Sequence, residues 1–144
     1  MWTLSSSDKA DWLNKIESNT WLHFSDIGKI RVGIKTTADN VFIGDDWSGD
    51  KADLELLRPL ITHRNAGQIV PNNSACWQVL YTHYVQNGKR AVIDINDYPK
   101  SKAYLETHYE QLEGRTYIKK ANRNWYEIWV PQNPASWANR KIVF

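Results

Sequence analysis

Four cations fall within nine residues of the segment RTYIKKANRNWYEI: Arg115, Lys119, Lys120 and Arg123, with no acid among them. Tyr117, Asn122, Asn124, Trp125 and Tyr126 are interleaved with them. Lysine and arginine neutralise phosphates, and the counterions they release make such binding fall steeply with salt. Arginine and asparagine also carry the donor and acceptor pairs that match guanine and adenine edges in a major groove. A plainer role is open to the same cations, since those following a helix satisfy its last carbonyls and complement its dipole. Tryptophans crowd the same end of the chain: Trp125, Trp129 and Trp137 lie within thirteen residues, bracketed by Arg123, Arg140 and Lys141. Indole beside guanidinium suits a core edge, a sugar platform or a nucleic-acid surface. A second polar loop, THRNAGQ, adds Arg64 and Asn65.

Catalytic chemistry needs a constellation, and none assembles. His23, His63, His83 and His108 fall on four different predicted elements. Cys76 opens a predicted strand, where a small thiol is ordinarily buried. The seven glycines are dispersed rather than gathered into a phosphate loop, and neither G-x-S-x-G nor H-E-x-x-H occurs. Asp45 and Asp46 are adjacent carboxylates in a Trp-Ser-Gly turn, a composition typical of solvated loops rather than metal sites. No catalytic residue and no metal ligand is therefore expected in this segment.

A chain of 144 residues is long enough for one core and too short for two. Eight tryptophans and seven tyrosines supply large apolar bodies whose polar tips need partners. One cysteine rules out an internal disulfide framework and fits a reducing compartment. The opening MWTLSSSDKADWL has neither a basic leader nor an apolar run, so a soluble cytoplasmic domain without membrane partners is expected. The net charge of +2 hides an uneven distribution: residues 114–144 hold six basic residues against one acid, Glu127. Residues 1–88 hold eight basic and ten acidic ones, with Asp39, Asp45, Asp46, Asp50, Asp53 and Glu55 forming an acidic stretch. Such asymmetry gives either a directional field or a mixed solvated surface.

These residues must be positioned by elements that the pattern outlines. Ser7 caps a predicted helix in DKADWLNKIES, with Trp12, Leu13 and Ile16 on one stripe. Ile30, Val32 and Ile34 alternate with polar residues, predicting a half-buried strand; TTADN then turns the chain and VFI starts the return. KADLELLRPLI reads as a short helix ended or kinked by Pro59. Two β-rich runs flank Asn87-Gly88, the dipeptide best suited to a two-residue hairpin. Trp77, Val79, Tyr81, His83 and Val85 share one face of the first run and Leu80 and Tyr84 the other, so both faces are expected to be partly covered. A helix follows, capped by Asn96 or Asp97, with Pro99 in its first turn, Gly114 at its end and Leu105, Tyr109 and Leu112 inward. NWYEIWV alternates as a last strand before Pro131 and Pro134, with KIVF beyond. The sum is one α+β domain over residues 1–144: a mixed or antiparallel sheet with an Asn-Gly hairpin and two or three flanking helices.

From the residues alone, three functions stay open: nucleic-acid recognition, a carbohydrate or peptide platform, and a protein-interaction module docking through its aromatic face. Several segments, in order, resemble one family, the TaqI-like C-terminal specificity domain. Gly33, Ile34, Thr36, Asp39, Val41 and Phe42 match its G-I-x-T-G-x-(D/N)-x-(V/A)-F motif. LLRPLITHRNA is similar to its leucine-proline segment, and DYPKSKAYLETHYEQLEGR to its Y-P-x-x-x-x-Y-L stretch closing on arginine. NWYEIWVPQNPASWANRKIVF resembles its W-Y-x-L ending and final K-I-V. Thr37 departs from the pattern, standing where the family usually has glycine. If that position takes a left-handed conformation, threonine is a poor occupant.

The resemblance implies a DNA target-recognition domain of an adenine-N6 methyltransferase from a restriction-modification or phage-defence system, with or without a fused endonuclease. The family's catalytic domain binds S-adenosylmethionine and acts through an N-P-P-Y-type motif; NPAS at 133–136 lacks the second proline and the aromatic. No cofactor is therefore expected in this segment, and its implied partners are double-stranded DNA and the catalytic domain. On that reading Lys35, Lys119 and Lys120 take phosphates, with Arg115 in the same cationic run. Arg64, Asn65, Arg123 and Asn124 face base edges, and Trp125 and Trp129 fill the core while Trp137 pins the return segment.

Overall fold

The computed structural model describes residues 6–51, 53–62 and 77–137, with Asp50 represented by its backbone. Arg64, Asn65, Arg140, Lys141, Cys76, His63 and the final KIVF lie outside the described residues. The chain divides into two compact units, Met1–Val32 and Gly33–Phe144.

The first unit carries helix α1 (Ser7–Asn19) and a single turn, α2 (Phe24–Ile27). Ser6, not Ser7, occupies the capping position of α1, without a side-chain cap bond. The last turn of α1 is closed by side chains instead: Asn19 Nδ2 donates to the Lys15 carbonyl at 2.7 Å and Thr20 Oγ1 to that of Ile16 at 2.8 Å. At α2 the Asp26 carboxylate accepts the His23 N–H at 2.9 Å. Trp12, Leu13 and Ile16 do share a stripe, but α1 buries no residue. The strand expected through Ile30 and Val32 is absent: both side chains are exposed, and the alternation there has no sheet to join.

The Gly33–Phe144 unit is α+β, as element order predicts. After a turn of helix α3 (Asp39–Phe42), β1 (Ile43–Gly44), β2 (Leu57–Pro59) and β3 (Gln78–Leu80) form an antiparallel sheet in the order β1-β3-β2. β4 (His83–Gln86) and β5 (Lys89–Val92) form the hairpin. Its turn has Asn87 at φ 52° and Gly88 at φ 72°, the two left-handed positions a two-residue loop demands. The predicted single run from Trp77 to Gln86 is cut in two. Tyr81 donates its N–H to Leu56 at 2.9 Å while the Thr82 carbonyl accepts from Ile93 at 3.2 Å, so the chain leaves one sheet and enters the hairpin there. Both faces are covered at this crossing: Val79, Leu80, Tyr81, Thr82 and His83 are all buried.

The described residues of 51–61 do not form the predicted helix. Gly49–Lys51 is a 3-10 turn, and Leu57–Pro59 becomes an edge strand, the sheet position where a proline costs no ladder bond. The long helix expected before Gly114 is instead a 3-10 turn (Ile95–Asp97), α4 (Pro99–Glu106) and α5 (Tyr109–Glu113). The break falls at Thr107, whose hydroxyl donates to the Tyr104 carbonyl at 2.6 Å, a local bond that competes with helix continuation. The break also rotates Tyr109 outward, while Leu105 and Leu112 remain fully buried. The start of α4 is capped from a distance: Glu55 accepts the N–H groups of Lys100 and Ser101 at 3.1 and 2.9 Å and the Ser101 hydroxyl at 2.6 Å. A five-residue helix, α6 (Thr116–Lys120), occupies what reads as loop. The expected terminal strand is a turn over Asn124–Glu127, followed by one bridge pairing Lys35 with Val130.

The core joins Val41, Phe42, Leu56, Val79, Leu80, Ile93, Leu105, Leu112 and Ile128. Tyrosine tips are satisfied on carbonyls at its margin: Tyr81 on Pro131 at 2.7 Å, Tyr104 on Val41 at 3.0 Å and Tyr126 on Ile93 at 3.1 Å.

Candidate nucleic-acid interface

The cationic run is presented by α6 and the turn after it. α6 stops at Asn122, which adopts φ 51°. The Asn122 N–H donates to Lys119 at 3.0 Å and the Arg123 N–H to Ile118 at 3.1 Å, the paired bonds of a Schellman ending. Asparagine is, after glycine, the residue most tolerant of that conformation. Next comes a tight turn in which Glu127 N–H donates to the Asn124 carbonyl at 3.0 Å, while the Glu127 carboxylate accepts the Asn124 N–H at 2.8 Å. The backbone from Ile118 to Glu127 is thus held by its own bonds, and the Lys119, Lys120, Asn122 and Asn124 side chains project into solvent.

The four cations of this run have three different fates. Arg115 is a correction to the sequence reading: it is 7% exposed and acts as an internal brace. Its Nε donates to the Leu112 carbonyl at 2.9 Å, and Nη1 to that of Thr36 at 2.8 Å. Nη2 reaches the carbonyls of Trp125 and of Glu127, the latter at 2.9 Å. The helix-end role of a following cation thus fits Arg115, extended to two further segments. Burial lowers its pKa to about 10, against the opposing pull of Glu127, so it stays charged at neutral pH. Its guanidinium is not available to a phosphate.

Arg123 is half-buried and folded back. It donates to the Trp129 carbonyl at 2.9 Å, lies 3.9 Å from the Glu127 carboxylate and sits 4.9 Å from the Trp129 ring centre. Its direct reading of a base edge would require breaking these contacts, so it is placed as a support. Lys119 pairs with Glu113 at 2.7 Å, but both groups are solvent-exposed enough that such a bridge is worth at most about 1 kcal/mol. Lys120 is exposed, and among the described residues no partner holds its ammonium.

The bridge at Val130 brings Lys35 to the same region: its N–H donates to Val130 at 3.0 Å and its carbonyl accepts at 2.8 Å. Trp129, expected in the core, lies half-exposed between Arg123 and Tyr117, whose ring is 5.4 Å away. Trp125, expected to fill the core, is partly buried against its edge, edge-on to Tyr109 at 5.0 Å, and Trp137 packs on Tyr81 at 4.6 Å.

Beneath the turn lies a buried pair that the sequence reading missed. Glu127 faces His83 at 3.8 Å, with both side chains nearly closed to solvent. Burial works to raise the Glu127 pKa, yet the nearby His83 ring, the bond from the Asn124 N–H and the charge of Arg123 leave it below the usual carboxylate range. The only sequence signal was its isolation, as the one acid in a basic segment. Thr37 does take the left-handed conformation, at φ 62°, with its β-branched side chain in place of the family's usual glycine. Its hydroxyl donates to the Thr36 carbonyl at 2.6 Å, and Arg115 Nη1 donates to the same carbonyl.

Among the described residues no cluster of His, Cys, Asp and Glu could hold a metal ion, and no helix is long and apolar enough to cross a membrane. No protein-family model matches the chain. Curated relatives do. The chain is 43% identical to Type II methyltransferase M.BanIII of Aneurinibacillus aneurinilyticus, over 99% of its own length and 26% of that protein. It is 30% identical to Type II methyltransferase M.PaeR7I of Pseudomonas aeruginosa, over 99% of its length and 24% of that protein. A third, Type II methyltransferase M.BstVI of Geobacillus stearothermophilus, is 29% identical over 87% of the chain and 22% of the protein. The chain is similar to one segment of type II methyltransferases. It spans about a quarter of the length of the relatives it matches.

Proposed function

We propose that this chain is the DNA target-recognition part of an adenine-N6 methyltransferase, of the TaqI-like specificity class, in a restriction-modification or phage-defence system. The observation that carries the reading is the presentation of Lys119 and Lys120 on the end of α6, and of Asn122 and Asn124 on the following turn, whose backbone is pinned from beneath by Arg115 and Glu127. A rigid frame with polar heads in solvent suits duplex recognition, because less ordering is needed on binding. Lys120, Lys35 and Lys119 contact phosphates and set register; Asn124 is the candidate for a base edge. Arg64 and Asn65 keep the base-contact role that the sequence assigns them. Arg115 and Arg123 hold the frame. S-adenosylmethionine, the methyl donor the resemblance implies, is assigned to the other part of the methyltransferase and to no residue here.

Fluorescence anisotropy on duplex DNA at several salt concentrations tests this. Lys120→Ala should weaken binding to all sequences alike and flatten the salt slope by about one unit. Asn124→Ala should leave the slope intact and lower discrimination between sequences by on the order of 1–3 kcal/mol. Binding that ignores salt would overturn the reading. If an oligosaccharide then bound with Tyr117 and Trp129 protected from quenching, the aromatic face would be a sugar platform instead.

A further inference from the structure

His83 stands on the first strand of the hairpin, far in sequence from the cationic run, and its side chain is buried. Its backbone is set by pairing with Val92 of β5, and its ring lies against Tyr81 with centroids 5.8 Å apart. Nδ1 of the ring is 3.3 Å from the Thr82 hydroxyl, and Nε2 is 3.8 Å from Glu127 Oε2. Glu127 in turn holds both backbone groups of Asn124. Its Oε1 accepts the Asn124 N–H at 2.8 Å, and its own N–H donates to the Asn124 carbonyl at 3.0 Å. A line of contacts therefore runs inside one compact unit from β4 to the turn that presents Asn124.

We propose that His83 is a positioning residue for base reading: with a proton on Nε2, it holds the Glu127 carboxylate in the orientation that fixes Asn124. The proposal rests on the reading above that Asn124 meets a base edge. An ionised carboxylate only accepts hydrogen bonds, so a bare Nε2 lone pair turned towards it in a buried site would be repulsive, whereas an N–H is attractive. The Thr82 hydroxyl donates to Nδ1 when the ring is neutral and accepts from it when the ring is charged. Without the imidazole donor the carboxylate would be drawn to Arg123, whose Nε is 3.9 Å from the same Oε2, and its hold on Asn124 would loosen. Base-edge contacts need their groups within about 0.5 Å and 10–20° of the productive geometry. Lysine ammoniums on flexible stems reach phosphates from a wider range of positions. Lys119 and Lys120 also stand on α6, which closes on its own bonds to Ile118 and Lys119. Losing the donor should therefore lower sequence discrimination and spare general, salt-dependent affinity.

Two variants separate the donor from the bulk. His83→Phe keeps an aromatic ring on Tyr81 and removes the N–H, whereas His83→Gln puts an amide N–H near the place of Nε2. On a randomised duplex library, the ratio of the tightest-bound to the median sequence should fall about fivefold or more in His83→Phe. It should fall less than about twofold in His83→Gln, with the salt slope unchanged in both. No loss in His83→Phe, or equal loss in the two variants, overturns the proposal. Two measurements on the chain without DNA test the positioning by itself. The imidazole nitrogen NMR spectrum, which needs no variant, should show Nε2 of His83 protonated; a bare Nε2 overturns the proposal. Hydrogen exchange at the Asn124 amide should quicken about tenfold or more in His83→Phe, measured against the Asn122 amide, and unchanged exchange overturns it too. Salt-insensitive DNA binding would sink the recognition reading, while these two measurements still decide whether His83 fixes the turn.

Discussion

The two units use their large side chains in opposite ways. In Met1–Val32 the helical pattern is legible and the helix forms, yet its apolar stripe meets water. In Gly33–Phe144 the interior is partly polar: Arg115, Glu127, His83, Thr36 and Ser101 are buried, each with hydrogen-bond or charge partners. Among the described residues, no buried side-chain nitrogen or oxygen lacks a partner. Periodicity therefore predicts where an element forms, whereas burial depends on what the rest of the chain brings to it. The polar interior also fixes geometry more narrowly than apolar packing would, because a brace with five donors has few alternative arrangements.

The largest expected effect breaks the second unit at its centre. Arg115→Ala should cost about 3–5 kcal/mol in urea unfolding, since it strands carbonyls of Thr36, Leu112, Trp125 and Glu127 in the interior. A loss below about 1 kcal/mol would mean that water replaces the guanidinium and that the brace is dispensable.

Acid should loosen the same unit at a second point. Burial alone would raise the Glu55 pKa, but the Ser101 hydroxyl and the N–H groups of Ser101 and Lys100 bring it to about 2, below the ordinary 4.5. Its contribution is thus complete above pH 4.5 and disappears as pH falls towards 2. Allowing for solvent screening, the amount is about 1–2 kcal/mol. Glu55→Gln should flatten the pH dependence of thermal unfolding in that window; an unchanged profile would remove Glu55 as the cap of α4.

Thr37 measures how firmly the frame is held, because it keeps a non-glycine residue at φ 62°. Thr37→Gly should raise stability by about 0.5–1 kcal/mol, the relief of left-handed strain less the added chain entropy and the lost hydroxyl bond. The smallest effect belongs to the first unit. Trp21→Ser should change the stability of the isolated chain by less than about 0.5 kcal/mol, as expected for a side chain with little packing to lose. A larger loss would show that the exposed stripe already has a cover.

The hairpin was readable because Asn87-Gly88 is local chemistry, and α4 because Pro99 and Leu105 are. The misread elements share a physical cause. Leu57–Pro59 became an edge strand because β3 supplies its pairing, and residues 124–130 turned because Glu127 reaches back to Asn124. Neither partner is visible in a short window. For the site, charge pointed to the right segment but not to the right residues. Arg115 and Lys120 are both cations of that run, and only the carbonyls converging from other segments distinguish brace from probe. The asparagine ending of α6 was legible in principle, since Asn122 sits where a left-handed residue must close the turn. Several motif positions carrying the family resemblance, Thr36, Val41, Phe42, Leu105, Leu112 and Arg115, prove to be interior positions, whereas Gly33, Asp39 and Pro99 are exposed.

Arg115 and the Thr36 carbonyl it grips are 79 positions apart along the chain. Closing a loop of that length is entropically unfavourable and is offset only once both ends are already in place. The guanidinium should therefore lock late in folding, after the hairpin and α4 have formed. Amides of α6 and the following turn would then be among those that acquire slow hydrogen exchange last, and a nascent chain would display its cationic run before that run had a fixed shape.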